Sequence, residues 1–158
     1  TKRFRRQSNF RMIRYATKDD IQASIEVGIE FIKDGYYSHL PIDRDMMYNH
    51  AARALESEWW LYLVDEIDGK QAGFFSAHIE ETMFGPGRIA IQDLMFIRPE
   101  YRRGASALKF LREFEKWSVS KDCANLYFAP SVHVDSRFDT LAKRVGFEYI
   151  GPQYGKKL

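Results

Sequence analysis

Cysteine is all but missing from this chain. The single one, Cys123, excludes an internal disulfide framework and suits a reducing compartment. No apolar run approaches the length of a membrane span, and no signal-peptide pattern opens the sequence, so the expectation is a cytoplasmic protein with no membrane partner. The four histidines, His39, His50, His78 and His133, are scattered without metal-ligand spacing, and no metal is expected. Charge of one sign is also missing in bulk: 24 cations against 22 anions leave a net +2. Repeats, low-complexity tracts and internal linkers are absent.

What is present is enough apolar material for a real core. Hydrophobic residues make up 45% of 158 and aromatics 15%, which suits one globular domain over 10–158 and excludes a disordered chain. The small positive excess is unevenly placed. Lys2, Arg3, Arg5, Arg6, Arg11, Arg14 and Lys18 all precede the first acid, Asp19. Residues 1–9 therefore read as a basic, flexible arm, which either tracks nucleic acid or keeps a frayed terminus solvated.

Periodicity and punctuation give an alternating order of elements. A strand is expected at 10–16, with Thr17 as the cap of a helix over 18–33 that ends at Asp34-Gly35. Asp43 opens a second helix running to about 57. Strands follow at 59–65 and 71–81, joined by an Asp68-Gly69 hairpin, and after a turn at 84–87 a third lies at 88–97. A helix over 105–121, a strand at 125–129, a helix over 135–145 and a last strand at 147–151 complete the chain.

The most informative run is Ile91-Gln92-Asp93-Leu94-Met95-Phe96-Ile97-Arg98-Pro99-Glu100-Tyr101-Arg102-Arg103-Gly104-Ala105-Ser106-Ala107. It reads as a buried strand stopped by proline, then a short basic loop of small residues opening an amphipathic helix. Small residues admit a ligand close to the backbone, and a helix N-terminus presents unpaired N–H groups and a positive dipole end. Together with two arginines, this is a cradle for an anion, most often phosphate. The same residues also fit an ordinary strand–turn–helix with solvated arginines.

The loop resembles the acetyl-coenzyme A loop of the GNAT N-acetyltransferase superfamily. Arg102 falls on its Gln/Arg position, and Ala105 and Ala107 fall on its two glycine positions. The order β-α-α-β-β-β-α-β-α-β is also the order of that family. Met12-Ile13-Arg14-Tyr15-Ala16-Thr17 resembles its opening, and Leu141-Ala142-Lys143-Arg144-Val145-Gly146-Phe147 its closing signature.

The resemblance implies an α/β (α+β) three-layer fold, with about four helices and a mixed, mostly antiparallel sheet of six or seven strands splayed at the cofactor. It implies an acetyl-CoA-dependent N-acetyltransferase acting on a primary amine by direct attack. The cofactor would lie on Met95, Phe96, Ile97, Arg102, Arg103, Gly104, Ala105, Ser106 and Ala107. Asp93 takes the position of a family glutamate and is the candidate base, since a carboxylate in an apolar strand should have a raised pKa. It could equally be a structural carboxylate paired with an arginine or with a donor on a neighbouring strand. The usual general-acid tyrosine is Ala142 here, with Tyr127, Tyr149 and Tyr154 as spare candidates. The acceptor, a small molecule or peptide amine, is expected near Tyr36-Tyr37-Ser38-His39-Leu40, the second helix and Asp93, with His133 a further acceptor-side candidate. Nucleic acid as the partner, through the arm, is the alternative, as is a non-catalytic CoA-binding module; a homodimer is left open.

Overall fold

The computed structural model describes residues 10–33, 35–102, 104–129, 136–151 and 155–158. The arm 1–9, Arg103, His133 and Tyr154 lie outside them. Five strands, β1 (Arg11–Tyr15), β2 (Trp60–Ile67), β3 (Lys70–Glu81), β4 (Arg88–Ile97) and β5 (Cys123–Tyr127), form one sheet in that spatial order. The first three pairings are antiparallel, and β4 with β5 is parallel. Four α-helices accompany them: α1 (Ile21–Lys33), α2 (Arg44–Glu56), α3 (Ser106–Ser120) and α4 (Ser136–Arg144).

The layers follow from apolar spacing. On one face, Leu61, Leu63, Phe75 and Ala77 alternate out of β2 and β3 to meet Phe110, Phe114 and Trp117 of α3. On the other face, Val27 and Phe31 of α1 pack on Phe74 and Phe96, while Ile21, Ile25 and Ile29 pack against α2. β3 is covered on both sides, and residues 72–77 are buried without a break. Gly73 permits this crowding, because a Cβ there would stand 2.4 Å from the Phe96 carbonyl oxygen.

Local signals act where the sequence puts them. The Asp43 carboxylate caps α2 by accepting from the Met46 amide at 2.9 Å. Asp68 (φ 49°) and Gly69 (φ 77°) turn the β2–β3 hairpin through the left-handed region, as an Asp-Gly pair is suited to do. The first helix differs slightly: Lys18–Asp20 is a 3-10 turn that Thr17 caps before α1 begins.

The sheet is narrower than expected. The described residues hold five strands instead of six or seven, and 147–150 join no ladder. The cause lies at the end of α4. Gly146 (φ 89°) donates to Lys143 O and Phe147 donates to Ala142 O, a Schellman closure that spends the Phe147 amide. The Phe147 ring then packs on Phe128, with centroids 5.7 Å apart.

Candidate functional site

The β4–β5 ladder runs from Arg88↔Cys123 to Ile91↔Tyr127 and stops, while β4 continues six residues further, to Ile97. From Gln92 onward, β4 is bonded on its β3 edge, and no ladder among the described residues occupies the other edge. The two strands therefore splay into a cleft. Gln92 marks its apex, its Oε1 accepting from the Ala129 amide at 3.1 Å while its buried Nε2 has no partner among the described residues. Met95, Phe96 and Ile97 lie on this stretch of β4, with the Met95 and Phe96 side chains buried in the cores on its two faces.

Above the cleft, Pro99–Tyr101 makes a 3-10 turn and the chain enters α3. No side chain caps α3: Ala105 sits at the cap position without a side-chain hydrogen bond. The amides of the first turn thus lack intrahelical acceptors, and the Ser106 hydroxyl is buried without a partner among the described residues. Both kinds of group point to an anion that the protein alone does not supply.

Two loop residues have roles the sequence did not suggest. Arg102 folds back on the strand, its Nε donating to Ile97 O at 2.8 Å and its cation 5.6 Å from the Phe96 ring. Gly104 is small on account of Arg11, because a Cβ there would lie 2.7 Å from Arg11 Nη1. Arg11 is part of β1. It donates to the fully buried Asp65 at 2.5 Å and to Tyr101 O at 3.1 Å, tying the loop to the sheet. Arg14 is likewise engaged, bridging Asp20 and Glu66. Arg98 bonds Glu30 of α1 and Gln71 O, a staple set back from the cleft.

Asp93 has no partner across the β3–β4 ladder. Ser76 pairs with Leu94 and Ala77 with Gln92, so Asp93 is the extra residue of a β-bulge at the point where the cleft opens. Its side chain turns to the α1–α2 face, where Oδ1 lies 2.8 Å from His78 Nδ1. The opposite ring nitrogen, His78 Nε2, lies 3.0 Å from Glu80 Oε1. Trp60 of β2 tilts against the His78 ring at 5.1 Å, and His50 of α2 meets Trp60 edge-on. Burial pushes the Asp93 carboxyl up from its ordinary range, and the His78 charge and hydrogen bond only partly offset it. Burial opposes a charge on His78, yet Glu80 and Asp93 together raise its pKa. Tyr62, behind them, is pushed up to about 12 by burial and the Asp93 charge, so it stays a phenol.

His78 and Glu80 were missed in the sequence. Their i, i+2 spacing puts both on one face of β3, and the β3–β4 pairing beside Ala77↔Gln92 brings Asp93 to the same face. Among the spare tyrosines, Tyr127 ends β5 opposite Ile91, while Tyr149 is exposed. Tyr36 of the expected acceptor loop packs with Tyr37 and His39 and lies under the Lys157 ammonium; the groups gathered at Asp93 come from β2, β3 and α2. Cys123 is half-buried in β5, and burial raises its thiol pKa. Among the described residues, no group of His, Cys, Asp and Glu is arranged to hold a metal ion, and no helix is long and apolar enough to cross a membrane.

No family model matches the chain, and no curated protein matches it significantly in sequence. Solved structures do. An aminoglycoside N-acetyltransferase, AAC(6')-Iy, in complex with CoA superposes with a TM-score of 0.76 at 15% identity, over 98% of this chain and 99% of that one. Glucosamine-6-phosphate N-acetyltransferase from Arabidopsis thaliana gives 0.75 at 16% identity, over 94% and 98%. A predicted acetyltransferase with acetyl-CoA from Clostridium acetobutylicum gives 0.75 at 14% identity, over 94% and 96%. At such identities the likeness establishes the fold, and the chain has the GNAT fold.

Proposed function

We propose that this protein is an acetyl-CoA-dependent N-acetyltransferase acting on a primary amine of a small molecule or peptide. One observation carries it: the splayed edge of β4 runs from a bulged carboxylate, Asp93, to an uncapped helix that holds an unpartnered buried hydroxyl, Ser106. These groups fit the cofactor. The first-turn amides of α3 and Ser106 would hold its phosphates, and the backbone groups of the Met95–Ile97 stretch that face the open edge of β4 would bond its amide-rich arm. When bound, acetyl-CoA supplies a thioester acyl group and a thiolate leaving group. Asp93 serves as the base that frees the amine of its proton, directly or through a water. With Ala142 in place of the tyrosine, no side chain is assigned as general acid. The named substrates of the two enzymes above, an aminoglycoside and glucosamine 6-phosphate, support an amine acceptor for this site.

Thermal denaturation with and without acetyl-CoA tests the site. At a hundredfold excess over Kd, binding to the folded state alone adds about 2.7 kcal/mol. Arg102→Ala is expected to reduce the shift, since Arg102 secures the loop to Ile97 O. No shift at large excess contradicts the proposal.

One observation favours nucleic acid as a second reading. A groove of about 390 Å³ between β1 and α3 is lined by Arg11, Lys109, Arg112 and Lys116, with Glu113 its one acid. Docking of phosphates there would weaken steeply with salt, with log K falling linearly against log salt concentration. Oligonucleotide binding that is absent at low salt excludes it.

A further inference from the structure

Asp93 is half-buried against the sheet, and the one charged partner at hydrogen-bond distance among the described residues is itself gripped from behind. His78 stands between two carboxylates, with Nδ1 2.8 Å from Asp93 Oδ1 and Nε2 3.0 Å from Glu80 Oε1. Neither contact is a hydrogen bond unless a proton lies in it, and a ring carrying both protons satisfies the two at once. Glu80 is more than half exposed while His78 is not, so its carboxylate grips the ring from the solvent side. Asp93 Oδ2, in contrast, is buried and has no partner among the described residues.

We infer that His78, clamped by Glu80, is a positioning residue that keeps the Asp93 carboxylate ionised and oriented to act as the base of the transfer. The inference rests on the transferase reading above. An acceptor ammonium must give up two protons on its way to an amide: one goes to the Asp93 carboxylate and on to solvent. The other goes to the departing thiolate as the C–N bond forms and the C–S bond breaks. Only the first involves this cluster. The groups facing it are Asp93 from β4, Glu80 from β3, Trp60 and Tyr62 from β2, and His50 from α2. Tyr62 stays neutral, and His50 adds a weaker field of the same sign as His78. The design is a base held ionised inside a largely apolar face, where burial alone would neutralise it.

The test has two parts. In the first, the histidine rings are followed by NMR against pH in the protein without cofactor, and His78→Gln identifies the His78 signal. His78 should titrate above an ordinary histidine, and Glu80→Gln and Asp93→Asn should each lower its midpoint. A midpoint at or below the ordinary value, or one indifferent to both changes, overturns the inference. In the second, acetyl transfer from acetyl-CoA to a panel of primary amines is followed by free-thiol release. His78→Gln retains a hydrogen-bond donor but loses the charge, so the acid limb of kcat/KM should move up by roughly one pH unit. An unmoved limb overturns the charge role. Wild-type protein that binds acetyl-CoA yet acylates no amine overturns the transferase reading and this inference with it, whereas transfer that His78→Gln leaves untouched overturns the inference alone.

Discussion

Arg11→Met is the perturbation that most directly exposes how this fold holds its loop. Asp65 is fully buried, and every hydrogen bond its carboxylate makes among the described residues comes from Arg11. Removing one partner of a buried pair costs about 3–5 kcal/mol, because the other charge is left stranded. The Arg11 side chain is 23% exposed, so water reaches the pair and the lower figure, about 3 kcal/mol, is the better expectation. For a domain of this size each kcal/mol lowers Tm by roughly 2–4 °C, giving about 6–12 °C. The loop loses a tether at the same time, since Arg11 also donates to Tyr101 O. The acetyl-CoA-induced thermal shift should therefore shrink along with Tm. Arg11→Met combined with Asp65→Leu removes both charges and should recover most of the stability but not the tether. Calorimetry on the two single variants and the double completes a cycle. A loss below about 1 kcal/mol for Arg11→Met, or a double variant no better than the single, refutes the reasoning.

Ser106→Ala should separate stability from binding. Deleting an unpartnered buried hydroxyl should leave Tm unchanged or slightly higher, yet weaken acetyl-CoA by about three- to tenfold in calorimetric titration. Gly73→Ala should cost about 2–3 kcal/mol in denaturant melts, because its Cβ meets backbone at Phe96 and Ile97 that cannot give way. Acid should loosen the β1–α1 corner. The Arg14 guanidinium holds the Asp20 carboxyl below its ordinary range, so that stabilisation is full above the unfolded value and is lost as pH falls through the folded one. Stability profiles of wild type and Arg14→Met should therefore converge in acid and diverge towards neutrality.

Much of the fold could be read because its signals are local. The limits of β4, the Asp43 cap, the Asp68-Gly69 hairpin and the loop into α3 each depend on residues adjacent in the chain. What escaped depends on register. Asp93 and His78 meet across the β3–β4 pairing, 15 residues apart in the chain, and no periodicity in either strand announces that register. Arg11 fell in the expected strand at 10–16 with no partner in view, because Asp65 lies 54 residues away. The expected strand at 147–151 has the apolar residues of a strand, but Gly146 and the end of α4 take the Phe147 amide first. The loop of small residues opening α3 was legible in the chain, whereas the approach of Arg11 to Gly104 depends on a residue far away in it.

The central claim is that this cleft binds acetyl-CoA and that Asp93 takes the proton of an amine attacking it. It is tested most directly by free-thiol release from acetyl-CoA across a panel of primary amines, wild type beside Asp93→Asn, with cofactor affinity measured on both. The account predicts amine-dependent release that falls at least a hundredfold, as loss of a general base does, with cofactor affinity little changed. Full activity in Asp93→Asn with a true acceptor, or no release with any amine from a protein that binds the cofactor, would contradict it.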